Sequence, residues 1–167
     1  MNRHSATTIA GRVVPIRAAT IADASEIARL LTQLGHPATP AEVEHRWTEW
    51  EEQGNSALVA AGSTSQLVGL CQLHQTVVLH RPRPVGRITA LIVEESERGN
   101  GLGRALVAAA EARLLSAGCG LMEITSNVRR TEAHAFYERL GYDKSSVRLA
   151  KDMLAGTPAT HAARNEG

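Results

Sequence analysis

The sequence predicts an α/β fold of the mixed α+β kind: a mostly antiparallel sheet of six to seven strands with helices on both faces. Three observations predict it. The apolar run Val85–Val93 leads through Arg98-Gly99-Asn100-Gly101-Leu102-Gly103 into a stretch rich in helix formers, which is the order strand, turn, helix. Leu121–Thr125, a short apolar run directly after that helix, calls for a parallel right-handed crossover and makes the two strands neighbours. Ahead of them two β-like runs form an antiparallel hairpin, so the sheet is mixed rather than doubly wound.

A length of 167 residues, 43% of them hydrophobic and 21% charged, fits one domain with a substantial core. That domain is placed at 12–154, between flexible tails at 1–11 and 155–167 whose residues are small and polar. A net charge of +1 gives no pull toward nucleic acid or an anionic membrane, which leaves a small molecule as the expected partner. Cys71 and Cys119 stand far apart in apolar surroundings without metal-ligand spacing, and read as buried thiols of a reducing compartment. The opening MNRHSATTIA lacks the apolar core of a signal peptide, and no uncharged run reaches the length of a membrane span. A cytoplasmic location without membrane contact is therefore expected.

The elements follow in order. Val13–Ala18 reads as a strand, and Thr20-x-x-Asp23 resembles a capping arrangement ahead of the helical set Ile27, Leu30, Leu31 and Leu34, which Gly35 and Pro37 end. Thr39-Pro40 opens a second helix with Pro at its first position and Glu42 and Glu44 in its first turn, running to about Glu52. On it Trp47 and Trp50 serve either the core or an aromatic wall for a ligand. Ala57–Ala61 and Gln66–Thr76 make the hairpin across Gly-Ser-Thr-Ser, and residues 77–84, with two prolines, two arginines and His80, form a loop into Val85–Val93. Arg104–Ala117 is apolar around most of its circumference, with Arg104 and Glu111 marking a narrow wet stripe. After Leu121–Thr125 comes a polar turn and then a helix whose face is Ala133, Phe136, Tyr137 and Leu140. Gly141 stops it, and Tyr142 with Val147–Lys151 supplies a last strand or hairpin.

The glycine turn carries the clearest chemistry. The first N–H groups of a helix lack partners inside it and sit at the positive end of its dipole, so an anion there satisfies both. Glycine lets backbone wrap closely around an oxygen-rich ligand, and Arg98 adds a permanent charge at the mouth. The bland reading is a tight connection between strand and helix. A dinucleotide fingerprint fits badly, because its third glycine position falls on Arg104, and the G-x-x-x-x-G-K-[ST] loop is absent.

Arg98-Gly99-Asn100-Gly101-Leu102-Gly103 behind an apolar strand, together with Asn127-Val128-Arg129-Arg130-Thr131-Glu132-Ala133-His134-Ala135-Phe136-Tyr137-Glu138-Arg139-Leu140-Gly141-Tyr142, resembles the GNAT superfamily of acetyl-CoA-dependent N-acetyltransferases. The likeness covers roughly Val13 to Asp152, and the AHxFY run is similar to the aminoalkylphosphonate N-acetyltransferase branch. The resemblance implies acetyl-CoA as cosubstrate, with the pyrophosphate loop on Arg98, Gly101 and Gly103 and the amides of Gly99, Asn100, Gly101, Leu102, Gly103 and Arg104 receiving phosphate. It implies that Leu91, Ile92 and Val93 lie along the pantetheine arm, with the N–H of Ile92 or Val93 polarising the acetyl carbonyl. Asn127 matches an asparagine that touches pantetheine or adenylate, and Tyr137 matches a tyrosine that acts as general acid. A thiol has a reference pKa of about 8.5 and a phenol about 10, so a phenol can protonate the leaving sulfur.

The general base is not legible. Arg87, Thr89 and Ala90 occupy the strand segment where some relatives place a glutamate, which leaves Glu94, His80, His74 or a chain of waters. His80 and Thr89 are expected on the acceptor side, where Arg81 and Arg83 either greet a phosphonate or carboxylate or are simply solvated. No metal site is expected, though assistance by a divalent cation stays open, as do a homodimer and the identity of the amine. The expected activity is direct transfer of acetyl to a primary amine of a small molecule, with no covalent stage on Cys71 or Cys119. Alternatives are a non-catalytic acyl-CoA sensor and an acetyltransferase for peptide or protein amines.

Overall fold

The computed structural model describes residues 5–9, 11–62, 66–151 and 153. Six strands form one sheet in the order β1 (Ser5–Ile9), β2 (Arg12–Ala18), β3 (Asn55–Ala61), β4 (Leu67–Thr76), β5 (Val85–Val93) and β6 (Leu121–Ile124). Every neighbouring pair is antiparallel except β5 and β6, which are parallel, as the crossover through the intervening helix requires. The helices are α1 (Ala24–Gln33), α2 (Pro40–Glu52), α3 (Leu102–Ser116) and α4 (Thr131–Glu138).

Alternation along the central strands builds a core on each face. In β3, Ala57 and Val59 join Ile27, Leu30, Trp47, Leu70 and Ile92 under α1 and α2, while Leu58 and Ala60 join Cys71, Leu73, Ile88, Leu102 and Leu106 under α3. Alpha-helix α4 adds Phe136 and Tyr137 to the second core. The start of α2 is a full capping box: the Glu42 amide donates to Thr39 Oγ1 at 3.2 Å, and the Thr39 amide donates to Glu42 Oε2 at 2.8 Å. Asp23 has a second use beyond capping, because its two oxygens accept from Arg17 at 2.7 Å each, tying β2 to the helix entry.

Three expectations change. Ser5–Ile9, assigned to a loose terminus, is an edge strand paired along its length with β2, and its Ile9 is buried. SATTI has no apolar alternation, and an edge ladder is held by backbone pairs that leave little mark on side-chain pattern. Residues 143–151 form no strand, and Val147 and Leu149 are 82% and 90% exposed. Their period-two pattern records a capacity for pairing, which becomes a strand only against an available edge. Finally, α3 is wetter than expected: Ala108, Ala112, Arg113 and Leu115 are exposed along with Arg104 and Glu111, since alanine marks neither face. The tail at 155–167 and the hairpin tip at 63–65 lie outside the described residues.

Candidate functional site

Beta-strands β5 and β6 pair only from Val85 with Leu121 to Ile88 with Ile124. Beyond that point β5 runs on through Leu91, Ile92 and Val93 alone on that side, and a cleft opens between the strands. The split starts at a bulge: β4 pairs Gln72 with Ala90 and Leu73 with Ile88, so Thr89 has no partner and is exposed. Arg87 and Glu123, directly opposite in the ladder, form an ion pair at 2.7 Å that clamps the last paired stretch.

At the far end of β5, Gly99 and Gly101 take φ values of +79° and +91°, a left-handed backbone that favours glycine. A Cβ at either would meet nothing within 4 Å, so the loop encloses open space rather than protein. Gly101 caps the start of α3, and the amides of Leu102, Gly103 and Arg104 have no acceptor within the helix. Such a run of amides makes a concavity for an anion. Arg98 Nε donates to the Val93 carbonyl at 3.1 Å, which anchors the guanidinium beside the strand end while the side chain stays exposed. The cradle therefore fits a phosphorylated cofactor, with Arg98 at its rim.

Gly103 joins the two halves. A Cβ there would stand 3.4 Å from Phe136 Cζ, so the first turn of α3 and the aromatic face of α4 meet at this glycine. Phe136 packs edge-on against Tyr137 at 5.1 Å between ring centroids, and Tyr137 packs likewise against Tyr142 at 6.1 Å. Tyr137 belongs to the same packed cluster as Leu91 and Val93, the unpaired end of β5. Burial pushes its phenol up to about 12. Among the described residues its hydroxyl has no hydrogen-bond partner, whereas the Tyr142 hydroxyl donates to Glu111 Oε1 at 2.9 Å. Asn127 builds the turn into α4, its Oδ1 accepting from the Arg129 amide at 2.9 Å.

The structure separates other candidates from this cluster. His80 sits in an exposed turn ahead of Val85, the length of β5 away from the glycine turn, or roughly 26 Å at the rise of a strand. Arg83 packs on Gly120 at that same distant end. His74 pairs with Arg87 in the ladder, on the fully paired part of the sheet. Glu94 is held by Arg29 Nη1 at 2.7 Å and Gln33 Nε2 at 2.8 Å, and the Arg29 hydrogen bond keeps its carboxyl below the usual range. A carboxylate so held is a weak base and a good tether, so Glu94 ties α1 to the end of β5. Burial pushes the Cys71 thiol up to about 12, far from a reactive thiolate. Among the described residues, no group of three or more His, Cys, Asp and Glu could hold a metal ion, and no helix is long and apolar enough to cross a membrane.

The bulge at Thr89 and the contact between Gly103 and Phe136 escape sequence reading. The Arg87–Glu123 clamp had a signal, opposite charges at matching places in two strands expected to be neighbours.

A mixed sheet whose two parallel strands part beside a glycine-lined helix start, with the tyrosine helix packed against that start, is the architecture of an acyltransferase. The chain belongs to the Acetyltransferase (GNAT) family, whose profile matches residues 23–142. It is 38% identical over 88 residues to an aminoalkylphosphonate N-acetyltransferase of Salmonella typhimurium, a match spanning 53% of this chain and 57% of that protein. It is 29% identical over 133 residues to an aminoglycoside N(6')-acetyltransferase type 1 of Stenotrophomonas maltophilia, spanning 78% of this chain and 86% of that one. Among solved structures it superposes on a Trypanosoma brucei acetyltransferase with a TM-score of 0.75 at 26% identity, covering 84% of this chain and 99% of the other.

Proposed function

We propose that this chain is an acetyl-CoA-dependent N-acetyltransferase acting on a primary amine of a small molecule by direct attack. The observation that carries the reading is the meeting of the open glycine cradle with the Tyr137 helix at Gly103, beside the unpaired end of β5. Arg98 and the amides of Gly99 to Arg104 would bind the phosphates, Leu91 to Val93 would line the pantetheine arm, and Asn127 would bound it. Bound acetyl-CoA supplies an activated thioester. The amide of Val93, on the side of β5 away from β4, would hold the acetyl oxygen as it gains charge, whereas that of Ile92 points toward β4, as the Glu94 amide does in donating to the Val68 carbonyl at 2.9 Å. The amine nitrogen bonds to the acetyl carbon as the carbon–sulfur bond breaks; the sulfur gains a proton, and the amine loses one.

Tyr137 has the place and the protonation for the sulfur side. A phenol that stays protonated up to about 12 donates a hydrogen bond to the departing sulfur throughout the physiological range. It is a weaker acid than an exposed tyrosine, so hydrogen bonding to the sulfur is its first role. With Glu94 tethered, His74 on the paired part of the sheet and His80 in the turn ahead of β5, the amine proton leaves through water. The unreactive Cys71 favours direct transfer over an acylated cysteine. A cytoplasmic location and a small-molecule acceptor complete the reading, both supported by composition.

Isothermal titration with acetyl-CoA tests it. Gly101→Glu places a carboxylate in the anion cradle on a left-handed backbone that itself disfavours a side chain by about 1–2 kcal/mol. Binding by the unsubstituted protein and its loss in the variant, with circular dichroism unchanged, is expected. Equal binding by both would remove the glycine turn as the cofactor site.

A further inference from the structure

The face of the sheet under α1 and α2 is incompletely filled. Ile27 and Leu31 of α1, Val43, Trp47 and Trp50 of α2, and Leu70 of β4 line a cavity of about 210 Å³. The indoles stand 5.3 Å apart between ring centroids, tilted by 47°; Trp47 is buried and Trp50 only half-buried. Two polar side chains border this apolar space, Gln72 and Arg46. Gln72 is the ladder partner of Ala90, the residue next to the Thr89 bulge. One strand spacing, about 4.8 Å, therefore separates this part of the cavity from the strand where the cleft begins.

We propose that this cavity holds the apolar body of the acceptor, and that the acceptor is an arylalkylamine: a primary amine carried by a short chain on one aromatic ring. The inference rests on the acetyl-transfer reading and names its substrate class. Size supports one ring. An apolar protein cavity of about 150 Å³ accepts benzene, and drug-sized sites begin near roughly 300 Å³. The 210 Å³ here falls between them. The walls support aromaticity, since two tilted indoles offer a face and an edge to a third ring.

Charge argues against an anionic acceptor. Among the described residues Arg46 is the one basic side chain lining the cavity, and its guanidinium already faces the Glu42 carboxylate at 3.7 Å. A phosphonate or phosphate is recognised by clustered, bidentate donors, which this cavity lacks. Arg81 and Arg83, the other candidates for an anion, precede Val85 at the remote end of β5. With the ring between the indoles and the amine beside Gln72, the nitrogen lies toward Ala90 and the bulge.

The chain contains two tryptophans, and both line this cavity, so tryptophan emission reads its occupancy directly. The experiment titrates 2-phenylethylamine and, separately, 2-aminoethylphosphonate into the full chain with and without CoA, and in a separate assay measures acetylation of each by acetyl-CoA. A saturable emission change with 2-phenylethylamine alone, and its preferred acetylation, are expected. Ala38 also lines the cavity, so Ala38→Phe, which pushes a ring into the same space, should remove the emission change. It should also raise KM for 2-phenylethylamine about tenfold or more, the scale on which hydrophobic pockets discriminate, while leaving KM for acetyl-CoA unchanged. Silence of the emission in both titrations, preference for 2-aminoethylphosphonate, or an Ala38→Phe enzyme with unchanged KM would overturn the proposal. Acetyl-CoA binding seen by calorimetry alongside any of these keeps the acetyltransferase reading and discards only the substrate class. Emission change without any acetyl transfer discards the cavity as an acceptor site.

Discussion

At the residue scale the candidate site centres on Tyr137. Its ring is fixed by edge contacts to Phe136 and Tyr142, and its hydroxyl is unengaged among the described residues, while Tyr142 spends its own on Glu111. Two neighbouring tyrosines on one aromatic stack thus differ in the engagement of their hydroxyls. Replacing the hydroxyl alone, Tyr137→Phe, keeps the packing and should lower kcat by about 10²–10⁴-fold, the usual contribution of a positioned proton donor. KM for acetyl-CoA should stay nearly constant, because no ground-state contact is lost. Tyr142→Phe should leave kcat within a few-fold and mainly loosen α3 against the stack. Steady-state kinetics on both variants separates the roles, and equal losses would mean that the stack acts as packing only. The pH profile gives a second check: the Tyr137 proton is present below about 12 and lost above it, so this residue imposes no basic limb near neutrality. A fall in kcat between pH 8 and 10 that Tyr137→Phe abolished would contradict the buried phenol (roughly its ordinary titration range).

At the element scale, α3 is the part that must sit correctly, because its first turn is the cradle. It reaches the sheet through two glycines: a Cβ on Gly69 would stand 2.8 Å from Leu106 Cδ1, and one on Gly86 would stand 2.7 Å from Leu114 Cδ1. Neither has a left-handed φ, so their value is close approach alone. Gly86→Ala should therefore cost about 1–3 kcal/mol through overpacking. Leu114→Ala in the same chain should recover part of that loss, a non-additivity readable in urea unfolding. Strict additivity would mean that the helix shifts without strain. The elements themselves were legible where periodicity was strong: α1, α2, β3 to β5 and the parallel β6 all stand where apolar spacing puts them. Legibility failed at both ends of the sheet. Ser5–Ile9 pairs without an apolar pattern, and Val147–Lys151 has the pattern without the pairing. Side-chain rhythm reports which face is buried, and it is silent on which edge finds a partner.

At the scale of the whole molecule, the site was legible as two motifs but not as one place. Sequence supplies the glycine turn and the tyrosine helix; that they touch at Gly103, and that β5 breaks register at Thr89 to open the cleft, depends on three-dimensional packing that no local pattern encodes. The acceptor side was least legible, because Arg81, Arg83 and His80 stand in a loop ahead of Val85 and no local pattern says which loops face the cleft. Ion pairs and hydrogen bonds tie α1 and its entry to the ends of β2, β4 and β5. Arg29 on α1 holds Glu94 at the end of β5 and donates to the Leu67 carbonyl at 2.6 Å, while Glu26 accepts from the Leu67 amide at 3.0 Å. Arg17 similarly holds Asp23. Both Asp23 and Glu94 titrate below their ordinary values of 3.8 and 4.5, each chiefly through its arginine hydrogen bond. A carboxylate with a depressed folded pKa binds fewer protons folded than unfolded just below those ordinary values. Its stabilisation is therefore complete above about pH 5 and is lost as pH falls through the lower folded values. Arg29→Met removes the partner while keeping the stem, and should lower stability at pH 7 by about 1–2 kcal/mol, the scale of charged hydrogen bonds reduced by partial exposure. At a pH below the lowered folded values most of that difference should vanish, since the carboxylates are then protonated in both proteins. Urea midpoints at the two pH values measure it, and a difference that persists undiminished in acid would assign the effect of Arg29 to its packing and its bond to the Leu67 carbonyl, leaving Glu94 no part in holding α1 to the end of β5.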